Sequence, residues 1–237
     1  MILILISEFS VMLSSCTEGL RDMTQPTNIS LITTTEQLQT INGTVSPATA
    51  LKVLPALEAH AKRFIERSPF LVMSSGNLGN LDASPRGDAP GFVKVLDDTT
   101  LLIPERPGNR IADTLTNIVD DSGVGLLMLI PGMNETLRVN GNAYITDHGP
   151  YLDQLAHNGK SPKLAIVVNI TQVYFHCAKA FIRSGLWNPE TFMERSEMPT
   201  LGKIIIEQIK GQPSTEEEAA MVDTSLEEDI KDNLYHT

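Results

Sequence analysis

Short apolar segments separated by turn residues dominate the middle of the chain. Six of them have the length and composition of β-strands: 70–75, 92–96, 101–104, 124–130, 135–146 and 163–174. The 124–130 segment is apolar almost throughout, which predicts burial on both faces. Before the strands, an amphipathic helix is predicted to begin at Ser46-Pro47 and to end at Ser68-Pro69. Its apolar stripe recurs at helical spacing from Leu51 to Phe64, with Pro55 as the place for a step. The pattern predicts a small antiparallel barrel with helices packed outside it.

The longest predicted strand, 135–146, carries two features that each allow two interpretations. Gly141 marks a bend or bulge in the strand, whereas the Asn140-Gly141 dipeptide is also typical of a two-residue hairpin turn. Arg138 lies between apolar neighbours. Its charge must therefore be paired or face a polar cavity, because burying it alone costs too much free energy.

The segments 92–96 and 101–104 are predicted to form a β-hairpin across the acidic turn 97–100, and two turns rich in arginine, glycine and proline frame this hairpin. The first, 84–91, contains Arg86 and holds proline and glycine too densely for the interior of a strand. The second, 105–110, contains Arg106 and Arg110 and leads into a predicted helix at Ile111. Because guanidinium groups and helix N-terminal amides both favour anions, the two turns predict a socket for an anionic ligand.

The arginines of these turns also allow a purely structural interpretation. Acidic residues lie in the same turns, at Asp88 and Glu105. Arginines that pair with them would only stabilise the turns, and surface ion pairs are common and weak. The sequence alone leaves both interpretations open.

Four segments, taken together and in order, resemble the pyridoxamine 5′-phosphate oxidase-like family of flavin-binding split barrels. They are SPRGDAPGFV (84–93), IPERPGNR (103–110), LIPG with ETLRVNG (129–141) and HCAKA with RS and LW (176–187). The resemblance covers roughly residues 32–210. It implies a mainly β fold with flanking helices: a six-stranded antiparallel split β-barrel that binds FMN. It also implies a homodimer with the site at the subunit interface.

Carried over position by position, the resemblance implies a set of residues around FMN. Near the phosphate and along one side of the isoalloxazine ring these are Arg86, Arg110, Asn109, Lys94, Ile103 and Pro104. Thr136, Leu137 and Arg138 are implied to approach the ring from its other edge. Lys179, Arg183 and Trp187 are implied to reach the site across the homodimer. No side chain is predicted to act as an acid, a base or a metal ligand, because the flavin carries the chemistry.

The 176–187 segment has its own pattern. On a helix, His176, Lys179 and Arg183 would share one face, which gathers positive charge in one place. The alternative is a basic surface stripe near a helix C-terminus. Trp187 would serve equally as a lid on a flat ring or as interface packing.

The resemblance implies an FMN-dependent oxidoreductase that acts on a small molecule. The residues that grip the substrate in vitamin B6 oxidases are not recognisable here, so oxidation of pyridoxamine phosphate itself is not predicted. The alternative from another class is a flavin-, deazaflavin- or haem-binding stress protein without turnover.

Charge and termini complete the picture. The net charge is −11, and from residue 212 onward eight acidic residues face only Lys231, so no basic surface for nucleic acid is expected. Two cysteines predict no disulfide framework, and we expect a cytoplasmic protein without a membrane segment. Residues 1–30 are interpreted as an extension rather than a secretion signal, 31–211 as the domain and 212–237 as an acidic tail. The tail is either disordered or a helix that docks weakly.

Overall fold

A computed structural model of the protein describes residues 29–77, 80–108 and 112–235. The chain divides into two compact units, 1–46 and 47–237. In the first unit, helix α1 (Thr35–Asn42) begins with a capping box in which the Thr34 hydroxyl accepts from the Gln37 N–H at 3.2 Å. Nearly all of the predicted N-terminal extension, 1–28, lies outside the described residues.

The second unit is built on one antiparallel sheet of seven described strands. They are β1 (Phe70–Asn77), β2 (Asn80–Gly87), β3 (Lys94–Asp97), β4 (Thr100–Pro104), β5 (Gly123–Leu129), β6 (Thr136–Thr146) and β7 (Ala165–His176). Their order across the sheet is β2-β1-β5-β6-β7-β4-β3. The mainly β antiparallel fold with flanking helices is confirmed, whereas the predicted number of six strands is wrong.

The strand that the sequence pattern missed is β2. It pairs with β1 from Gly87 opposite Phe70 to Asn80 opposite Asn77, and it lies at the end of the strand order. An end strand makes ladder hydrogen bonds on one side only, which allows it to contain Pro85. The predicted turn at 84–91 is therefore wrong for its first half, and the chain leaves the strand only at Asp88.

Helices pack on the sheet through a core that runs along most strands. Ala61, Phe64 and Ile65 of α3 (Ala59–Arg67) are buried in it. The helix predicted from Ser46-Pro47 to Ser68-Pro69 is interrupted: α2 (Pro47–Leu51) ends early, and Leu54 pairs with Val173 of β7. A smaller cluster on the other face contains Leu102 and Leu155, so β4 is buried on both sides.

Strand β5 differs from the prediction of burial on both faces. Val124, Leu126 and Met128 are buried, whereas the alternating positions are only half-buried. Strand β6 is continuous, with a register shift between Asn140 and Gly141. A Cβ atom on Gly141 would lie 2.2 Å from the Asn169 carbonyl oxygen, so only glycine fits there. The bulge interpretation is confirmed, and the hairpin interpretation is wrong.

The sheet curls, since residues near its two ends meet. Arg86 of β2 forms a salt bridge of 2.5 Å with Glu105, immediately after β4. In the strand order four strands separate β2 from β4. Helix α4 (Asp113–Asp120) lies close by and contacts β1, β2 and β6.

The C-terminal part adds further helices. These are α5 (Gly149–Gln154), α6 (Lys179–Ser184), two 3₁₀ turns (Pro189–Thr191 and Arg195–Glu197), α7 (Leu201–Lys210) and α8 (Glu216–Asn233). The acidic tail is thus helical, and it pairs with α7: Asp223 accepts from the Gly202 N–H at 2.7 Å. Among the described helices, none is long and apolar enough to cross a membrane.

Candidate functional site

A cavity of about 860 Å³ opens where the ends of the curled sheet meet. Three chain segments form most of its wall: 82–87 of β2, 104–108 after β4 and 112–115 at the start of α4. Lys163, before β7, also lines it. The volume lies in the range of cofactor and small-molecule sites.

Burial alternates along the part of strand β2 that lines this cavity. Its period of two places the half-buried Asp82, Ser84 and Arg86 on one face of the strand. The Arg86 side chain is 10 % exposed and donates from one terminal nitrogen to Glu105. Its buried Nε has no hydrogen-bond partner among the residues that the structure describes. A buried guanidinium thus retains an unused donor in a side chain that lines the cavity.

The first turn of α4 also lines the cavity. Its N-cap, Ala112, has a left-handed backbone with φ of 60° and supplies no side-chain cap. The first amides of α4 are therefore not satisfied by a capping side chain, and the helix dipole favours an anion at that end. The nearby Asp82 carboxylate accepts from the Thr114 hydroxyl at 2.5 Å.

Arg106, on the segment after β4, is held firmly in place. Its Nε donates to Asp88 at 2.7 Å, and a terminal nitrogen donates to the Leu155 carbonyl at 3.0 Å. The Asp88 side chain is only 2 % exposed. Burial alone would raise the pKa of Asp88, but hydrogen bonds from the Ala89 N–H, Arg106 and Tyr235 outweigh it and hold the pKa below its usual 3.8.

Both interpretations of the arginine turns find support. The ion pairs Arg86–Glu105 and Arg106–Asp88 are present, as the structural interpretation expects. Arg86 and Arg106 nevertheless line one shared cavity, as the socket interpretation expects. An anion entering this cavity would meet a guanidinium that is paired on one side and unsatisfied on the other.

The remaining predicted residues of the hairpin are divided. Pro104 lines the cavity, and Ile103 is fully buried beside it in β4. Lys94 begins β3 and donates to the Gly91 carbonyl at 2.8 Å, away from the cavity wall. Asn109 and Arg110 lie outside the described residues.

The second group of predicted residues lies apart from the cavity wall. Thr136 and Leu137 are buried in β6, and Arg138 stacks over the Tyr174 ring at 5.4 Å, so its charge has an aromatic partner. Trp187 donates from its indole nitrogen to the Met133 carbonyl at 2.8 Å and stacks on Phe181. None of the three β6 residues is among the described cavity-lining residues.

The predicted cationic helix face is wrong in one respect. His176 is the last residue of β7, because the strand continues further than the pattern indicated. Only Lys179 and Arg183 lie on α6, and both are exposed. Neither lines the described cavity.

Several residues of the cavity were not among the predicted cofactor contacts. Arg106 was singled out as part of a turn, whereas Asp82, Thr114 and Lys163 were not singled out at all. The alternation over 82–86 could have identified Asp82 if β2 had been predicted as a strand. No sequence signal identifies Lys163. Among the described residues no group of three or more His, Cys, Asp or Glu side chains could hold a metal ion.

One comparison with known proteins shows a family. A family model described as pyridoxamine 5′-phosphate oxidase matches residues 57–177. A search of curated proteins found no match.

Two solved structures illustrate the structural similarity. A putative pyridoxamine 5′-phosphate oxidase from Lactobacillus delbrueckii is 19 % identical, with a TM-score of 0.41, over 51 % of this chain and 95 % of that one. An FAD binding protein from Mycobacterium smegmatis is 12 % identical, with a TM-score of 0.37, over 52 % and 97 %. At such identities and TM-scores these similarities assign neither a ligand nor an activity to this chain.

Proposed function

Because the chain belongs to the pyridoxamine 5′-phosphate oxidase family, we propose that it binds FMN in the cavity between β2, residues 104–108 and α4. The observation that carries the proposal is the buried Arg86 Nε, which lacks a partner among the described residues and belongs to a side chain lining that cavity. A buried donor calls for an acceptor, and guanidinium geometry matches the oxygens of a phosphate.

The groups present fit a flavin phosphate. Arg86 supplies a charge-assisted donor, and the first turn of α4 supplies amides without a side-chain cap. Pro104 lines the cavity, and in this proposal the backbone of β4 at Ile103 and Pro104 runs beside the flat ring. In this proposal Arg110 and Asn109 also serve the phosphate.

The proposed activity is FMN-dependent oxidation or reduction of a small molecule. The flavin, when bound, supplies hydride transfer. The chain's own residues hold the phosphate, orient the ring against β4 and exclude water from one side of it. Lys94 would act indirectly, since its bond to the Gly91 carbonyl fixes the loop that follows β2.

We also propose a homodimeric split barrel in which the second group of residues reaches the flavin across the subunit interface. That group is Thr136, Leu137, Arg138, Lys179, Arg183 and Trp187. Supporting the interface, the segment around α6 exposes large apolar side chains, including Ile182 at 65 % and Phe192 at 61 %. Exposed apolar clusters of this kind mark protein contacts.

Cofactor identity is tested on the purified protein. We expect a flavin absorbance spectrum, and mass spectrometry of the molecule released on denaturation should identify FMN rather than a deazaflavin or haem. Protein without bound flavin should quench the fluorescence of added FMN and unfold at a higher temperature in its presence. Colourless protein that neither quenches FMN fluorescence nor gains thermal stability would refute the proposal.

Trp187 gives a separate test of the dimeric arrangement, because it is the only tryptophan in the chain. If Trp187 lies near the flavin, FMN binding should quench its emission, and sedimentation should give the mass of a dimer. A Trp187→Phe variant supplies the background emission. Flavin binding without any change in Trp187 emission would reject this arrangement and leave FMN binding intact.

A redox assay distinguishes catalytic turnover from flavin binding without turnover. The bound flavin should be reduced by NADPH or another donor and reoxidised by a small-molecule acceptor within one catalytic cycle. Arg183→Ala is expected to lower turnover more than it lowers flavin occupancy. A flavin that binds but resists every donor would indicate a carrier or stress protein.

A further inference from the structure

The C-terminal tail ends in a set of aromatic contacts beside the cavity. The Tyr235 ring lies parallel to the His157 ring, with centroids 3.9 Å apart and planes 6° apart. Its hydroxyl donates to Asp88 at 2.9 Å. The Arg106 guanidinium lies 5.6 Å from the centre of the same ring. One phenol side chain is thus held by stacking, by a buried carboxylate and by a cation.

The three residues that receive Tyr235 are fixed by contacts of their own. Arg106 bonds Asp88 and the Leu155 carbonyl, and Asp88 donates its backbone N–H to Pro69 at 3.1 Å. The backbone of His157 exchanges hydrogen bonds of 2.9 and 3.0 Å with Lys160. The receiving surface is therefore held by an ion pair and by backbone hydrogen bonds that do not involve Tyr235.

The occupant, in contrast, is carried by a lightly attached segment. Tyr235 follows α8 by two residues, and the main packing partner of α8 is α7 rather than the sheet. Met221, Ile230 and Leu234 of this segment remain largely exposed. Since the tail brings little other contact to the sheet, the aromatic contact itself keeps Tyr235 in position.

We propose that Asp88, Arg106 and His157 form a binding subsite for a neutral aromatic ring that bears a hydroxyl group on its edge, and that Tyr235 is its intramolecular occupant. The chemistry defines the ligand class as phenols: His157 supplies the flat face, Asp88 the acceptor and Arg106 the cation over the ring. Because Arg106 lines both this subsite and the cavity, a phenol bound here would lie next to the cavity's contents. The inference does not depend on flavin binding, because Tyr235 makes none of its observed contacts with Arg86 or α4.

The subsite is tested with phenol as the probe and anisole as its matched control. Anisole keeps the ring but has no hydroxyl proton to donate to Asp88. Ligand-detected saturation-transfer NMR on the full chain gives the dissociation constant of each probe. The proteins are wild type, Tyr235→Ala and the Tyr235→Ala/His157→Ala double variant, with circular dichroism as a check of folding. A chain ending at Leu234 empties the subsite by a second route.

We expect phenol to bind Tyr235→Ala about tenfold more tightly than wild type, because a tethered side chain competes at an effective concentration in the millimolar range. Anisole should bind this variant at least about tenfold more weakly than phenol, because it leaves the Asp88 charge without that donor. Adding His157→Ala should abolish phenol binding. Equal phenol affinity in wild type and Tyr235→Ala, equal affinity for both probes, or full binding without His157 would each overturn the inference.

Discussion

Substitution of Arg86 gives the most direct test of the proposed phosphate site. This side chain forms the salt bridge with Glu105 across the curled sheet, and its Nε is the donor without a partner among the described residues. Arg86→Met keeps the length and the apolar stem but removes the guanidinium. A hydrogen bond to a charged group is worth about 1.5–3 kcal/mol, and about 1.4 kcal/mol is tenfold in affinity. Loss of one such bond to a phosphate should therefore weaken FMN binding about 12- to 140-fold.

Riboflavin separates the phosphate from the rest of the ligand, since it has the same ring system without the phosphate. Titration of both flavins by fluorescence quenching, in wild type and Arg86→Met, forms a cycle that isolates the interaction between Arg86 and phosphate. We expect riboflavin affinity to change little. Equal losses for FMN and riboflavin would show that Arg86 shapes the cavity but does not hold phosphate.

Glu105→Gln is the complementary change. In the structure Glu105 holds one terminal nitrogen of Arg86 and places a negative charge on the cavity wall. The amide should release Arg86 toward the phosphate and remove a repulsion, so FMN should bind more tightly while riboflavin does not. Thermal unfolding of both variants checks that the fold persists. Weaker FMN binding in Glu105→Gln would mean that the ion pair itself builds the site.

Three further changes follow from the packing. Gly141→Ala should lower the free energy of unfolding by about 1–3 kcal/mol in urea titrations, because its Cβ would lie 2.2 Å from the Asn169 carbonyl oxygen. Asp223→Ala should lower the free energy of unfolding of the α7–α8 pair by about 1 kcal/mol, because the Gly202 N–H loses its acceptor. It should also speed amide hydrogen exchange in the first turn of α7. Burial and the adjacent carboxylate raise the pKa of Tyr235 above its usual 10.0, so tail docking should be complete below pH 10.0 and lost as the pH rises through the raised value, as followed by tyrosinate absorbance.

Matched controls accompany these changes. Gly149→Ala places a Cβ in open space, and Asp232→Ala removes a tail carboxylate that lies far along α8 from Gly202. Free N-acetyltyrosinamide in the same buffer supplies the reference titration of an exposed phenol. Three outcomes would contradict the respective explanations. They are an unfolding free energy for Gly141→Ala equal to that of Gly149→Ala, α7 exchange in Asp223→Ala no faster than in Asp232→Ala, and a Tyr235 transition coincident with that of the free reference phenol.

The periodicity of the chain was sufficient to predict most strands but not β2. Strands such as β4 and β7 contain apolar runs, so their burial can be predicted from their own residues. Strand β2 has polar residues, Pro85 and two glycine-flanked ends, all of which indicate a turn. It forms a strand because all eight of its residues pair with β1. Such pairing depends on the neighbouring strand rather than on the composition of the segment itself.

The site shows the same division. Arg86 was singled out because its turn is rich in arginine, glycine and proline, whereas Pro104 came from the family resemblance; both line the cavity. Lys163 and Thr114 come from segments that the fold brings together over long sequence separations, and no local pattern records that proximity. The role of Tyr235 depends on where α8 ends in space, which the acidic composition of the tail does not reveal.

The salt bridge between Arg86 and Glu105 has a consequence for how the protein would release the proposed FMN. Two walls of the cavity come from β2 and from the segment after β4, which lie near opposite ends of the strand order. A small separation of these two walls would open the cavity even with every strand still formed. Cofactor release would then precede melting of the hydrophobic core as the temperature rises. The midpoint for the recovery of flavin fluorescence would lie at a lower temperature than the midpoint for the loss of the far-ultraviolet circular dichroism signal.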